Sequence, residues 1–180
     1  MRLAMVSVLT LTYPLLVFLG MQHAEPRQLA LLLMVLAVAR ALGQRNRIWL
    51  LVSALATGLA AMAWFGNQLL PLQLYPVLVN ATLLVLFLLS LRFPPSAIER
   101  LARLREPDLP ESGVRYTRRV TQVWCVFFVF NGSMALITAL WCSPEIWALY
   151  NGLIAYLLMA ALFGAEWLVR QHVRAGAGHD

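Results

Sequence analysis

RFPPSAIERLARLREPDLPESGVRYTRR, residues 92–119, carries seven of the fourteen basic residues of this 180-residue chain, and every one of the fourteen is arginine. Long apolar runs flank it on both sides, at 74–91 and 120–141. Working outward, the arginines recur in alternate gaps: Arg40, Arg45 and Arg47 before a run at 48–65, Arg170 and Arg174 after the last run, and Arg2 before the first. Only Arg27 falls elsewhere, and the gaps 66–73 and 142–145 hold none. Membrane insertion leaves this alternation when basic loops stay in the cytoplasm. The expected fold is an all-α, polytopic transmembrane helical bundle.

Composition agrees. Apolar residues make up 61% of the chain and charged ones 12%, and the mean hydropathy is +0.74. A soluble domain of this length needs less apolar material for its core. The net charge of +6 does not point to nucleic acid, because the basic residues border apolar runs instead of forming a basic domain. Anionic lipid headgroups are the expected partner. Arginine used to the exclusion of lysine fits a GC-rich bacterial genome. Cys125 and Cys142 show no spacing for a disulfide framework or a zinc site.

Six apolar runs of about bilayer length can be drawn, at 3–20, 28–43, 48–65, 74–91, 120–141 and 146–169. Aromatic residues near their ends suit interfacial anchoring: Trp49 and Trp64, Trp124 and Trp141, Trp147 and Trp167. Both termini are expected inside, in a bacterial cytoplasmic (inner) membrane, with Arg27 the one arginine outside. The run 28–43 is the weak one, with eleven clean apolar residues from Leu29 to Ala39. A fold of five spans, with that run not crossing, stays open; Arg40 near a helix end can snorkel and so favours crossing. The run 3–20 reads as a retained helix, since no A-x-A site follows it. Pro14 should kink it, whereas Pro76 sits harmlessly in a first turn. In the third run Ser53, Thr57 and Ala61, with Ala54 and Gly58 beside them, form a small-residue face suited to close packing.

The chain thus divides into helices one to four (1–91), a cytoplasmic basic loop (92–119), helices five and six (120–170) and a cytoplasmic tail (171–180). Within the loop, Pro94-Pro95 ends the fourth helix and Ser96-x-x-Glu99 reads as a capping box. Ile98, Leu101 and Leu104 share one face, which describes an amphipathic helix in the headgroup plane. Pro107 and Pro110 break it.

Two groups of residues are candidates for function. Arg115, Arg118, Arg119 and Gln122 form a basic mouth to the fifth helix; guanidinium groups grip phosphate bidentately. Lipid-phosphate binding, docking of an acidic protein and plain topology-setting charge all fit that pattern. Asn80, Asn131 and Asn151 lie within apolar runs, with Tyr13, Tyr150, Ser133 and Thr138 near them in depth. They either line a polar cavity or make packing bonds on separate helices. The sequons at Asn80 and Asn131 fall inside the bilayer and carry no glycosylation. Glu166 is the one acid within a run, and Arg170 four residues later makes an ion pair the simple reading and a protonatable site the other. His23, His172 and His179 sit outside the runs, and the acidic cluster Glu106, Asp108 and Glu111 lies among prolines. No catalytic constellation, metal site or cofactor is expected.

At Leu74-Tyr-Pro-Val-Leu-Val-Asn80, Arg103-Leu-Arg-Glu-Pro-Asp-Leu-Pro110, Arg115-Tyr-Thr-Arg-Arg-Val-Thr-Gln-Val-Trp-Cys125 and Leu149-Tyr-Asn-Gly152, the sequence resembles small, uncharacterised bacterial inner-membrane proteins encoded among aryl-polyene or fatty-acid-like biosynthetic genes. The resemblance covers most of residues 74–170. It implies lipid-like or polyene product assembly at the inner membrane, and an acidic acyl carrier protein among the available partners. The "ketosynthase" label some members carry finds no support in these residues: that chemistry needs a nucleophilic cysteine with histidines in a soluble fold, and Cys125 lies in an apolar run. The expected function is non-enzymatic, an accessory role in assembly, hand-over or export of an acylated polyene or lipid. The alternative is a membrane enzyme or carrier working through the polar cavity.

Overall fold

A computed structural model describes residues 25–43 and 47–177. The run 3–20, with Tyr13 and Pro14, and the residues His23 and His179 lie outside the described residues, as do the side chains of Arg40, Trp49 and His172. The described chain is helical, with no strand. Its elements are α1 (Pro26–Gly43), α2 (Arg47–Gly66), α3 (Leu70–Gln73), α4 (Tyr75–Arg92), α5 (Ala97–Arg103), α6 (Glu111–Trp141), α7 (Pro144–Leu149), a π-turn (Tyr150–Ile154) and α8 (Ala155–Ala177). Among the described residues three helical stretches are long and apolar enough to cross a membrane: Leu70–Arg92, Glu111–Trp141 and Pro144–Gln171. At 1.5 Å per residue each exceeds the roughly 30 Å hydrocarbon layer.

Prolines set several of these boundaries. Pro71, Pro76 and Pro144 each fall in the first two positions of a helix, where the missing N–H would have no intrahelical partner. Pro110 caps α6, which then runs for 31 residues to Trp141. Residues 111–119, expected as the end of a loop, are therefore the first turns of the fifth apolar helix. Nothing between Pro110 and Cys142 breaks the helix, and Glu111 favours its positive end.

α1 and α2 pack as an antiparallel pair, with Leu33, Leu36 and Ala37 facing Val52, Ser53 and Ala56. The small face of α2 is real but turned from its expected register. Ser53, Ala56, Ala60 and Ala63 are the buried set, whereas Ala54 is exposed and Gly58 has open space around it. Steps of three and four residues, not four alone, keep a stripe on one side of a 3.6-residue helix.

A core cluster lies at the arginine-poor end, where Leu72, Tyr75, Ala139 and Trp147 meet Leu29, Ala30 and Leu33. Trp147 has no exposed surface, and its indole N–H donates to the Gln73 carbonyl at 3.1 Å. It is a core residue, not the interfacial anchor its place near a run end suggests. Trp124 is likewise buried, its ring 4.6 Å from Phe163 and 5.7 Å from Phe128 by centroids. Trp64, Trp141 and Trp167 remain exposed, as anchoring predicts.

α4 and α6 approach closely at Gly132. A Cβ added at Gly132 would sit 3.1 Å from the Asn80 Cβ, so glycine is what lets the two helices approach there. α8 is the opposite case, with 6% of its crossing window buried. At the arginine-rich end α5 lies against α6, the Ile98 N–H donating to Thr121 Oγ1 at 3.3 Å. The Ser96 N–H donates to the Glu99 carboxylate at 3.3 Å, as the capping pattern expects. Leu101 and Leu104 point away from the protein, 60% and 80% exposed.

Candidate functional site

Arginines on and around α5 hold the segment between α4 and α6 in place. Arg100 Nε donates to the Pro95 carbonyl at 2.9 Å, and Arg103 Nη1 donates to the Pro107 carbonyl at 3.0 Å. Arg103 also grips Glu99 Oε1 through Nε at 3.0 Å and Nη2 at 2.9 Å. Glu99 is buried, so this charge-assisted pair fixes the short helix from inside.

The four residues of the basic mouth lie on α6, and the continuous helix puts them on one face. Arg115, Arg118, Arg119 and Gln122 are all exposed, opposite the buried line of Thr117, Thr121, Trp124 and Phe128. Below them the same outward face is apolar: Val126 is 70% exposed, and Val129 and Phe130 are 53% exposed each. Within the mouth the roles differ. Arg118 Nη1 donates to the Leu91 carbonyl at 3.0 Å and so closes the end of α4. Arg115 stands 3.6 Å from Glu111, both well exposed, a pair worth little in water. Arg119 makes no ion pair among the described residues.

Two of the three asparagines are brought together. Asn131 Nδ2 donates to Asn80 Oδ1 at 3.0 Å, and Asn131 Oδ1 accepts from the Tyr150 hydroxyl at 3.0 Å. Asn80 Nδ2 donates to the Pro76 carbonyl at 2.9 Å. Asn151 forms a separate node: its Nδ2 donates to Thr138 Oγ1 at 3.2 Å and to the Trp147 carbonyl at 2.9 Å. The π-turn supplies both Tyr150 and Asn151. Its widened backbone presents two consecutive polar side chains to α6, as a single π-turn inside an α-helix can. All three asparagines are buried and each amide nitrogen donates to a protein acceptor. Ser133, by contrast, is exposed.

The expected Glu166–Arg170 pair forms, with Arg170 Nη2 2.6 Å and Nε 2.9 Å from Glu166 Oε1. The third member was not legible in the sequence: the Tyr116 hydroxyl donates toward the Glu166 carboxylate at 3.3 Å and lies 3.2 Å from the Glu166 carbonyl. This group ties α6 to the far end of α8. Beside it opens a cleft of about 650 Å³, walled by the end of α5, residues 105–110, the first turns of α6, and Arg170. Arg105 and Tyr116 line it. Nothing in residue type or spacing joined these positions beforehand, because they come from three separate segments. Comparison of the chain with protein-family models, with curated proteins and with solved structures finds no match.

Proposed function

We propose that the chain is a multi-pass accessory protein of the bacterial inner membrane, aiding assembly, hand-over or export of an acylated polyene or lipid. The supporting observation is the outward face of α6. Arg115, Arg119 and Gln122 cap it, and exposed Val126, Val129 and Phe130 continue it downward. An amphiphile with an anionic head and an acyl tail is complementary to such a face along its length. The resemblance of residues 74–170 to proteins of polyene and fatty-acid-like gene clusters supports the same class of cargo, and an acidic acyl carrier protein is the natural soluble partner.

In this reading six helices cross, with both termini and the arginine-rich end inside. The antiparallel pairing of α1 with α2 supports crossing by the weak second run, since the pair shares one core. An enzyme or carrier working through a cavity of Asn80, Asn131 and Asn151 has less support, because those amides are engaged with protein partners. Mass spectrometry of purified protein should find a co-purifying anionic lipid or carrier. Turnover of a lipid-linked or acyl substrate by the purified chain alone would sink the accessory role.

A further inference from the structure

The cleft of about 650 Å³ at the arginine-rich end lies apart from the outward face of α6, and its size is within the range of roughly 300–1,000 Å³ typical of small-molecule sites. We propose that it binds a single-chain anionic amphiphile, with the headgroup at Arg105 and Arg170 and the chain along Ala102, Leu109 and Pro110. The inference rests on the reading of the chain as a lipid-handling membrane protein.

Three observations carry it. The lining is divided in character: Ala102, Leu109 and Pro110 offer apolar surface, whereas Arg105, Tyr116 and Arg170 offer donors. The donors are placed to serve a ligand. Arg105 is exposed and makes no ion pair among the described residues, while Arg170 uses Nε and Nη2 on Glu166 and its guanidinium also acts on the Tyr116 hydroxyl. Glu106 also lines the cleft and Arg170 is shared with Glu166, so the preference for an anion is assigned chiefly to Arg105, with Arg170 assisting. Third, the shape depends on an absent side chain. A Cβ at Gly113 would lie 2.9 Å from Leu109 Cγ, so this glycine lets Leu109 fold against the start of α6 and form the wall.

The test uses the full purified chain in neutral detergent, with retention of dodecyl phosphate, dodecyl maltoside and inorganic phosphate read by native mass spectrometry. Dodecyl phosphate should be retained in preference to the neutral amphiphile of the same chain length, one molecule per chain being held by the cleft. Arg105→Gln, at an exposed position, should weaken retention about tenfold or more, the scale of one lost charge-assisted bond. Ala102→Trp should abolish it by filling the cleft, and Arg27→Gln, exposed at the arginine-poor end, should leave it unchanged. Retention by Arg105→Gln equal to the parent overturns the proposal, as does inorganic phosphate held as tightly as dodecyl phosphate. Loss in Arg119→Gln alone overturns it too, since binding would then belong to the outward face. Because the readout is binding by the isolated chain, a negative result removes this cleft and leaves the accessory role standing; failed hand-over by a competent binder does the reverse.

Discussion

Asn131 sits where a polar side chain is least welcome, near the middle of a membrane-length helix, and its two bonds account for its presence there. Asn131→Ala would leave Asn80 Oδ1 and the Tyr150 hydroxyl without partners. The expected loss is about 1–2 kcal/mol, from two interhelical bonds that average about 0.6 kcal/mol each and reach about 1.7. Unfolding in a graded SDS titration measures it. A double-mutant cycle with Asn80→Ala should show positive coupling, and strictly additive losses would mean the bond contributes nothing. At the basic mouth, the Arg118 contact with the Leu91 carbonyl separates a structural arginine from Arg119 and from Arg115, whose exposed pairing with Glu111 is loose. Arg115→Lys with Arg119→Lys keeps charge but loses bidentate geometry. The double variant should insert normally and lose co-purifying lipid or carrier. Arg118→Lys should instead lower stability, by up to about 1 kcal/mol for one partly exposed bond. Unchanged co-purification in the double variant leaves only charge attraction at that face.

Among the helices, α4 and α6 depend on a glycine that α2 does not need. Gly132→Ala forces a methyl to within 3.1 Å of the Asn80 Cβ, and the expected cost is about 1–3 kcal/mol for overpacking. Gly58→Ala meets open space and should be neutral or slightly stabilising in the same SDS assay. A reversed order would mean the helices meet on other faces. The comparison also shows where sequence reading reaches its limit. Arginine placement and proline-marked starts were legible, because they reflect water, headgroups and backbone geometry. The inward side of each helix was not, because lipid-facing and core-facing residues are equally apolar and no polar face marks the outside. Trp147 shows this: the same position near a helix end suits an anchor in the interface or a buried indole with a carbonyl partner, and only the neighbouring Gln73 decides. The register of the small face on α2 was missed for the same reason. Of the candidate site, the Glu166–Arg170 pair could be read because it is local to one helix; Tyr116, fifty residues away, could not.

Taken as one body, the protein has a tightly packed, arginine-poor end closed by Trp147 and an arginine-rich end held together by polar ties. The topology follows from which end faces out. If the arginine-poor end is external, an impermeant thiol reagent on intact cells should modify the parent through half-buried Cys142 and spare buried Cys125. In a background with both changed to serine, cysteines at exposed positions 67 and 143 should react and one at 112 should not. Labelling at 112 with none at 67 would invert the protein; cysteine 24 unreactive with cysteine 3 reactive would show that the second run fails to cross. The π-turn at Tyr150–Ile154 has a consequence for the whole C-terminal third. It is a phase shifter: a helix advances about 100° per residue, so the wide turn sets the azimuth of everything after it. Tyr150 and Asn151 at one end of this rod and Glu166 at the other can all meet α6 only with that offset in place. Deleting Gly152 should let the turn relax to ordinary helix and swing Glu166 away from Tyr116, opening the arginine-rich end while the distant Trp147 core stays shut.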